Sequence, residues 1–176
     1  MAKQEKSAKQ PLRRRLTSWT LQLAGFVLIL FLIHLWQTRN LVEGVAPTLM
    51  ANTLNGLPVD LTSYSDGPVL LHFWATWCPV CKVENSTIDQ LSEDHSVLTV
   101  AMQSGSDQEV SDYLKEHELG FKTINDPSGK LSSLWRVKGL PTSLIIDKDR
   151  NIRFVSVGYT PELTLRLRLW LAELDW

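Results

Sequence analysis

Residues 69–91 have the sequence VLLHFWATWCPVCKVENSTIDQL, which contains both cysteines of the 176-residue chain. The apolar run 69–74 is typical of a buried strand, and the residues from Pro79 onward follow the periodicity of an amphipathic helix. Cys78 and Cys81 are therefore expected in the first turn of a helix that follows a hydrophobic strand. Two sulfurs three positions apart in that setting predict a dithiol that cycles with its own disulfide.

The overall composition limits the alternatives. An apolar fraction of 44% in 176 residues is enough for one globular domain with an appendage. With only two cysteines, the sequence holds no further disulfide framework and no four-thiolate zinc site. Residues 1–15 carry six basic side chains against one acid, whereas the rest of the chain is net negative. A nucleic-acid partner is therefore not expected.

The N-terminal region predicts export and membrane attachment. Residues 1–15 resemble a disordered, basic cytoplasmic tail. Residues 16–36 carry no charge and have tryptophans near both ends, which predicts a single transmembrane anchor. The basic excess precedes this segment, so we expect the N-terminus in the cytoplasm and the domain in the periplasm, at a bacterial inner membrane. The competing interpretation is a cleaved signal peptide, which the bulky residues after the apolar run disfavour.

A linker is expected over residues 37–46, followed by a folded domain over residues 47–176. Asn55-Gly56 between apolar positions predicts an N-terminal β-hairpin. After the cysteine helix we expect a strand over Val97–Met102, a helix opened by a capping box from Ser106 to Glu109, and a short strand over Phe121–Ile124. A short helix is predicted near residues 131–137. Strands and helices that alternate in this way predict an α/β fold with a mixed sheet and helices on both faces.

The C-terminal part is expected to end in an antiparallel hairpin and a helix. Residues 143–146 and 152–157 form the predicted hairpin strands. Thr160 is the expected N-cap of the final helix, with Pro161 at its first position. Leu163, Leu165, Leu167 and Leu169 alternate as in a strand. The cap and the helical spacing of Leu163, Leu167, Trp170 and Leu174 favour a helix instead.

The two cysteines are expected to have different roles. Cys78 lies at the predicted N-cap, where backbone N–H groups and the helix dipole favour a thiolate, so we assign it as the exposed nucleophile. Cys81 lies one turn further along and would resolve the mixed disulfide. A static crosslink is disfavoured because so small a loop gains little chain entropy. The alternative function is a non-enzymatic copper or zinc binding module that uses the pair, although the four histidines show no ligand spacing relative to it.

Two further polar residues are candidates for proton transfer. Cys81, Glu84, Ile88 and Leu91 share one face of the predicted helix, so the Glu84 carboxyl is expected beside the inner sulfur, with a pKa raised by burial. His72 alternates with apolar residues in the preceding strand. It is either a satisfied core histidine or part of a proton pathway.

These motifs resemble the membrane-anchored, TlpA-like or DsbE-like branch of the thioredoxin superfamily. The similar segments are FWATWCPVC at residues 73–81, GLPT at residues 139–142, Ala46-Pro47 and NGLPV at residues 55–59. The Cys-Pro-Val-Cys motif and the C-terminal segments GYT and LRLRLW are most similar to the suppressor-of-copper-sensitivity D-type (ScsD-like) members. The resemblance covers about residues 46–176.

The resemblance implies a thioredoxin-like fold with an added N-terminal hairpin and a central helix-strand insert. It implies that Pro141 is a cis-proline facing the dithiol and that Glu84 is the buried active-site acid. We assign substrate docking to Trp77, Pro79 and Leu140. His72 differs from the aspartate or asparagine usual at its position in related proteins.

The activity implied is thiol-disulfide exchange with periplasmic proteins, with no cofactor other than the Cys78–Cys81 disulfide. A transmembrane protein of the DsbD/CcdA/ScsB type would supply electrons. Cytochrome c maturation and copper or redox stress are the processes that these relatives suggest.

Overall fold

A computed structural model of the protein describes residue 22, residues 25–29 and residues 44–174. The predicted tail 1–15 and most of the predicted anchor and linker lie outside the described residues. Residues 22 and 25–29 are helical. Among the residues that the structure describes, no helix has the length and apolar character needed to cross a membrane.

Residues 44–174 contain eight strands and four α-helices. The strands are β1 (Gly44–Val45), β2 (Met50–Asn52), β3 (Pro58–Asp60), β4 (Val69–Trp74), β5 (Ser96–Met102), β6 (Thr123–Asp126), β7 (Thr142–Ile146) and β8 (Asn151–Val157). The helices are α1 (Pro79–Asp94), α2 (Asp107–Glu116), α3 (Lys130–Leu134) and α4 (Glu162–Glu173), and a 3₁₀ turn spans Leu61–Ser63.

Six strands form one mixed sheet in the order β1-β8-β7-β4-β5-β6. The central strand β4 runs parallel to β5 and antiparallel to β7, and β6 is parallel to β5. All six residues of β4 are buried, as expected for a strand covered on both faces. The expected α/β fold with a mixed sheet is therefore confirmed, and the helix that carries the cysteines follows its central strand.

Apolar side chains cover both faces of the sheet. On one face, Leu70 and Trp74 of β4 pack with residues from α1, α2 and α4. On the other face, Leu71 and Phe73 pack with α3 and with the region of the N-terminal hairpin. The alternation along β4 follows from the two-residue period of a strand. It places His72 on the same face as α1.

The two additions that the sequence predicted are present. The hairpin β2–β3 pairs Met50 with Asp60, and Gly56 in its turn has a φ of +74°, which favours glycine. The insert consists of α2 and β6, and the capping box between Ser106 and Glu109 is formed. Strand β6 begins two residues later than expected, since the predicted range began at Phe121. Val45, within the predicted linker, lies in β1 and pairs with Asn151 of β8.

The structure corrects the prediction for the final helix. Pro161, not Thr160, is the N-cap residue, because the Pro161 carbonyl accepts the first hydrogen bonds of the helix, from the N–H groups of Thr164 and Leu165. The buried residues of α4 are Leu165, Leu169 and Ala172. The helix itself is confirmed, and the four residues whose spacing predicted it, Leu163, Leu167, Trp170 and Leu174, are exposed. Leucines on both sides of the helix made the two faces indistinguishable by periodicity.

Candidate active site

The dithiol lies where β4 ends and α1 begins. Cys78 is the N-cap residue of α1 with an extended backbone, and Pro79 occupies the first turn, where a missing N–H costs nothing. Cys78 and Cys81 are joined by a disulfide, and their Cα atoms are 5.3 Å apart. The Cys81 N–H points at the Cys78 sulfur, with a nitrogen–sulfur distance of 3.2 Å. A helix N-terminus therefore faces the outer sulfur, which is the arrangement that stabilises a thiolate after reduction.

The two sulfurs differ in access. Cys78 is 4% exposed and Cys81 is fully buried, so Cys78 is the outer member of the pair. Cys78 was expected to be exposed. The structure corrects this expectation, because neighbouring residues shield the Cys78 side chain in the disulfide form. A cavity of about 300 Å³ opens onto it. Its lining consists of Trp77, Cys78, Pro79, Val80, Met102, Lys138, Gly139 and Leu140.

The three residues assigned to docking, Trp77, Pro79 and Leu140, all line this cavity. Trp77 is 58% exposed, and its indole N–H donates to the backbone carbonyl of Gln103 at 3.0 Å. That hydrogen bond holds an apolar ring at the opening while its face stays accessible. The structure thus brings together residues from the β4–α1 turn and from the segment before β7.

The peptide bond between Leu140 and Pro141 is cis, as the resemblance implied. The Pro141 carbonyl accepts a hydrogen bond from the Gly158 N–H at 2.8 Å, so the segment after β8 holds this loop in place. Gly139 packs close to Val157, where an added Cβ would approach the valine side chain to 3.3 Å. The loop before β7 is therefore fixed from the far end of the β7–β8 hairpin.

Glu84 lies one turn beyond Cys81 on the same buried face of α1 and is completely inaccessible to solvent. One carboxyl oxygen, Oε1, accepts the Thr160 backbone N–H at 3.0 Å, and the other, Oε2, has no hydrogen-bond partner. Burial raises the pKa of Glu84 to about 7, against a smaller opposing effect of the Thr160 hydrogen bond. The expected burial and raised pKa are confirmed. A carboxyl group with this pKa can both accept and release a proton near neutral pH.

His72 is also completely buried, beneath α1. Its Nδ1 atom is 2.9 Å from the Ser143 hydroxyl oxygen, on the residue that pairs with His72 across β4 and β7. Its Nε2 atom has no hydrogen-bond partner. Burial lowers the pKa of His72 to about 3, so the imidazole is neutral at physiological pH. One ring nitrogen of His72 is thus hydrogen-bonded and the other is not. This is compatible with a structural core histidine and with a member of a proton pathway.

Three contacts around the site were not anticipated. Thr160 was assigned to helix capping, yet its N–H contacts Glu84. Gln103 and Ser104 at the end of β5 support the cysteine turn, the first through Trp77 and the second by accepting the Thr76 N–H at 3.1 Å. These contacts join residues 26 to 76 positions apart, and no local pattern encodes them. Thr160-Pro161 is also the pattern expected at a helix N-terminus, so the local pattern offered no reason to assign Thr160 to the Glu84 contact.

The described residues also bear on the alternative of a metal module. Among them, no three His, Cys, Asp or Glu side chains form a group that could hold a metal ion. The two sulfurs are bonded to each other, and Glu84 and His72 are completely buried. No observation on these residues favours metal binding over redox chemistry.

The fold and the cysteine pair at a helix N-terminus define a thioredoxin-like protein. The chain belongs to the AhpC/TSA family, whose model matches residues 42–155. It is 32% identical over 158 residues to the thiol:disulfide interchange protein DsbE of Escherichia coli. The aligned region covers 80% of this chain and 82% of that protein.

Two other comparisons agree with this assignment. A thioredoxin-like protein of Haemophilus influenzae is 36% identical over 107 residues, which amount to 60% of this chain and 64% of that protein. The chain thus spans slightly less than two thirds of that relative. A crystal structure of a DsbE-type thiol:disulfide interchange protein from Chlorobium tepidum superimposes with a TM-score of 0.66 at 26% identity, covering 75% of this chain and 98% of the other.

Proposed function

We propose that this protein exchanges disulfides with partner proteins through Cys78 and Cys81, and that it works as a reductase. The observation that carries the proposal is the Cys78 sulfur at the N-terminus of α1, within hydrogen-bond distance of the Cys81 N–H and at the edge of an apolar cavity. The relatives named above as thiol:disulfide interchange proteins support the same activity.

The proposed reaction has two exchange steps. In the reduced protein, the Cys78 thiolate attacks one sulfur of a partner disulfide, and the partner's other sulfur leaves as a thiolate. The Cys81 thiolate then attacks the Cys78 sulfur, which forms the Cys78–Cys81 disulfide and releases the second partner thiol. Two electrons have passed to the partner, and an external dithiol must return two electrons to this protein before the next cycle.

Glu84 is proposed to accept the proton that Cys81 loses before the second step. It lies one turn from Cys81 on the same buried face, where its pKa of about 7 lets it take a proton at neutral pH. His72 is proposed as a second member of this proton pathway. The His72 Nε2 on β4 and the Glu84 Oε2 on α1 are both buried without a hydrogen-bond partner.

The docking of partners is proposed to use the cavity beside Cys78. An extended partner segment would pack on Trp77 and Pro79 while its backbone lies against Leu140, the residue before the cis-proline. The lining is mainly apolar, with Lys138 as its one charged member. This composition suits unfolded or loosely folded segments that expose apolar side chains near a disulfide.

The cellular setting is also part of the proposal. The uncharged segment 16–36 behind a basic tail supports a tether in the inner membrane, with the domain in the periplasm. A transmembrane donor of the DsbD/CcdA/ScsB type would then re-reduce Cys78–Cys81. The ScsD-like features of the sequence favour a role in copper or redox stress, and cytochrome c maturation is the other process we propose.

The experiment that tests this function is trapping in the periplasm. A full-length Cys81→Ser variant cannot resolve its mixed disulfides, so partners should remain attached to Cys78 and be identified by mass spectrometry after non-reducing purification. The matched control is Cys78→Ser, which keeps one thiol but removes the nucleophile. Equal recovery of disulfide-linked proteins with both variants would contradict the proposal.

A further inference from the structure

Lys138 is the one charged side chain that lines the cavity beside Cys78. The rest of the lining consists of Cys78 itself, a glycine and apolar or aromatic residues. Lys138 is exposed, and within the described part of the chain its ammonium forms neither a salt bridge nor a hydrogen bond. The fold therefore does not use this charge, which leaves it available to a molecule that enters the cavity.

The backbone that carries Lys138 is held by the end of α3. Arg136 has a φ of +54°, and its N–H donates to the Ser133 carbonyl at 3.0 Å. The N–H of Val137 donates to the Ser132 carbonyl at 2.9 Å, which completes a Schellman motif. Val137 is 6% exposed and belongs to the core. Lys138 therefore follows an anchored residue, which gives its charge a defined starting point at the cavity.

The chain segments that line the cavity are basic. The lining residues lie within residues 76–83, 101–105 and 136–142. These segments contain no aspartate or glutamate, and they contain three exposed basic residues, Lys82, Arg136 and Lys138. By contrast, residues 16–176 as a whole carry 12 basic and 18 acidic side chains. The cavity is thus bordered by basic segments in a part of the chain that is otherwise acidic, which favours a negatively charged ligand.

The position of this charge determines what it can select. A partner segment that brings its disulfide to Cys78 occupies the cavity, so residues next to its reactive cysteine lie near Lys138. A bound segment also excludes water from the apolar walls, which strengthens the attraction between opposite charges. Glu84 does not offset the lysine, because it is completely buried and neutral below about pH 7. An acidic side chain beside the partner cysteine is therefore attracted, and a basic one is repelled.

We propose that Lys138 is a specificity-determining residue that favours partner disulfides flanked by aspartate or glutamate over those flanked by basic residues. The inference rests on the proposed exchange function, because it describes which partner segments react fastest with the Cys78 thiolate. Lys138 forms and breaks no bond. The Cys78 sulfur bonds to the partner sulfur, and the partner's other sulfur leaves with the electron pair of the broken disulfide. The lysine acts on the docking that precedes this step.

Three synthetic peptides test this selectivity. Each contains one cysteine joined in a disulfide to 2-thiopyridine, and they differ only in the two residues that flank this cysteine, which are aspartate, asparagine or lysine. Reduced full-length Cys81→Ser protein in nonionic detergent attacks the peptide sulfur through Cys78 and releases thiopyridone, whose absorbance gives the second-order rate constant. The measured quantity is the ratio of the rate constants for the aspartate and lysine peptides. A change in the thiolate fraction of Cys78 cancels in this ratio.

Substitutions of Lys138 in the Cys81→Ser background should change this ratio. Lys138→Gln should lower it at least about threefold, because one exposed charge pair contributes a few-fold. Lys138→Glu should lower it at least about tenfold, because attraction becomes repulsion. Rate constants for the asparagine peptide should lie between those of the other two peptides, and all these differences should shrink in high salt.

The matched control is Lys122→Glu, which makes the same charge change at an exposed lysine that lines a different cavity, beside α2 and the turn of the N-terminal hairpin. It should leave the ratio unchanged, and far-UV circular dichroism should match the wild type for every variant. Equal ratios for Lys138→Glu and Lys122→Glu would overturn this inference and leave exchange at Cys78 in place. No thiopyridone release with any peptide would instead overturn the proposed exchange function, and this inference with it.

Discussion

Glu84 and His72 are buried titratable residues whose pKa values are shifted in opposite directions by the same cause. Burial raises the pKa of the Glu84 carboxyl to about 7 and lowers that of the His72 imidazole to about 3. Both shifts favour the neutral form, because charge is disfavoured away from water. Both groups are thus neutral between about pH 3 and pH 7, and Glu84 becomes charged as the pH rises above that range.

Glu84→Gln should remove one pH dependence of stability. The wild-type carboxyl has a pKa of about 7 when folded and 4.5 as its ordinary value, so between these pH values the folded state binds more protons than the unfolded state. The contribution of Glu84 to the free energy of unfolding therefore falls as the pH rises from 4.5 to 7, by at most about 1.4 kcal/mol per pH unit. Urea unfolding at pH 4 and pH 8 should show a relative gain for Glu84→Gln at pH 8 only.

The control for this prediction is Glu93→Gln, an exposed acid on the same helix. It should leave the pH profile unchanged. Parallel profiles for the wild type and Glu84→Gln would contradict the buried, protonated carboxyl. In a Cys78→Ser background, the same Glu84→Gln change should also shift the pH dependence of Cys81 alkylation. An unshifted alkylation profile would remove Glu84 from the proton pathway.

His72→Gln should remove an opposite dependence at acid pH. The ordinary pKa of 6.5 falls to about 3 in the folded protein, so between these values the unfolded state binds more protons. Wild-type stability should therefore decrease as the pH falls from 6.5 toward 3, whereas His72→Gln, which can still bond Ser143, should be less sensitive. Between pH 4.5 and 6.5 the Glu84 and His72 effects oppose each other, and only the single variants separate them. A His72→Gln profile as steep as the wild type would show that the folded imidazole is charged.

The helix α4 could be predicted from the sequence, but the side of it that packs against the sheet could not. Its existence followed from the Thr-Pro-Glu start and the apolar spacing, but its orientation did not. Leucines lie on both sides of the helix, and the sheet selects the side with Leu165 and Leu169. The choice depends on the shape of the facing core, which periodicity does not contain.

Leu165→Ala and Leu163→Ala test the observed orientation of α4. Leu165 is fully buried, so its truncation should destabilise the protein by about 2–5 kcal/mol. Leu163 is 79% exposed, and its truncation should change stability by no more than about 0.5 kcal/mol. Urea denaturation of both variants, at one low protein concentration, makes the comparison. The opposite ranking would contradict the observed orientation of α4.

The β4–α1 unit was predictable because its signals are local. A strand of six buried residues, an N-cap cysteine and a proline in the first turn all lie within one short segment. The capping box at Ser106 and the turn at Gly56 are local in the same sense. Thr160 was assigned differently because its partner, Glu84, is 76 residues away, and only the folded sheet brings the two together.

At the scale of the whole molecule, the site combines four separated segments. The β4–α1 turn supplies the sulfurs, the end of β5 supports Trp77, the loop before β7 supplies Leu140 and Pro141, and residues 158–160 bind both Pro141 and Glu84. The segment 158–160 therefore links the docking loop to the buried acid. The resemblance anticipated the cis-proline and the acid, whereas this link required the structure.

The assignment of Cys78 as the nucleophile is tested by locating the mixed disulfide formed with a model substrate. The reduced full-length Cys81→Ser variant is mixed with insulin whose disulfides are intact, and the reaction is quenched with acid, digested and analysed by mass spectrometry. Reduced Cys78→Ser is the matched control. We predict an insulin peptide linked to Cys78 in the first variant and at least about tenfold less adduct at Cys81 in the second, since Cys81 is fully buried. Equal adduct formation at the two cysteines, or none at Cys78, would contradict the assignment of Cys78 as the nucleophile.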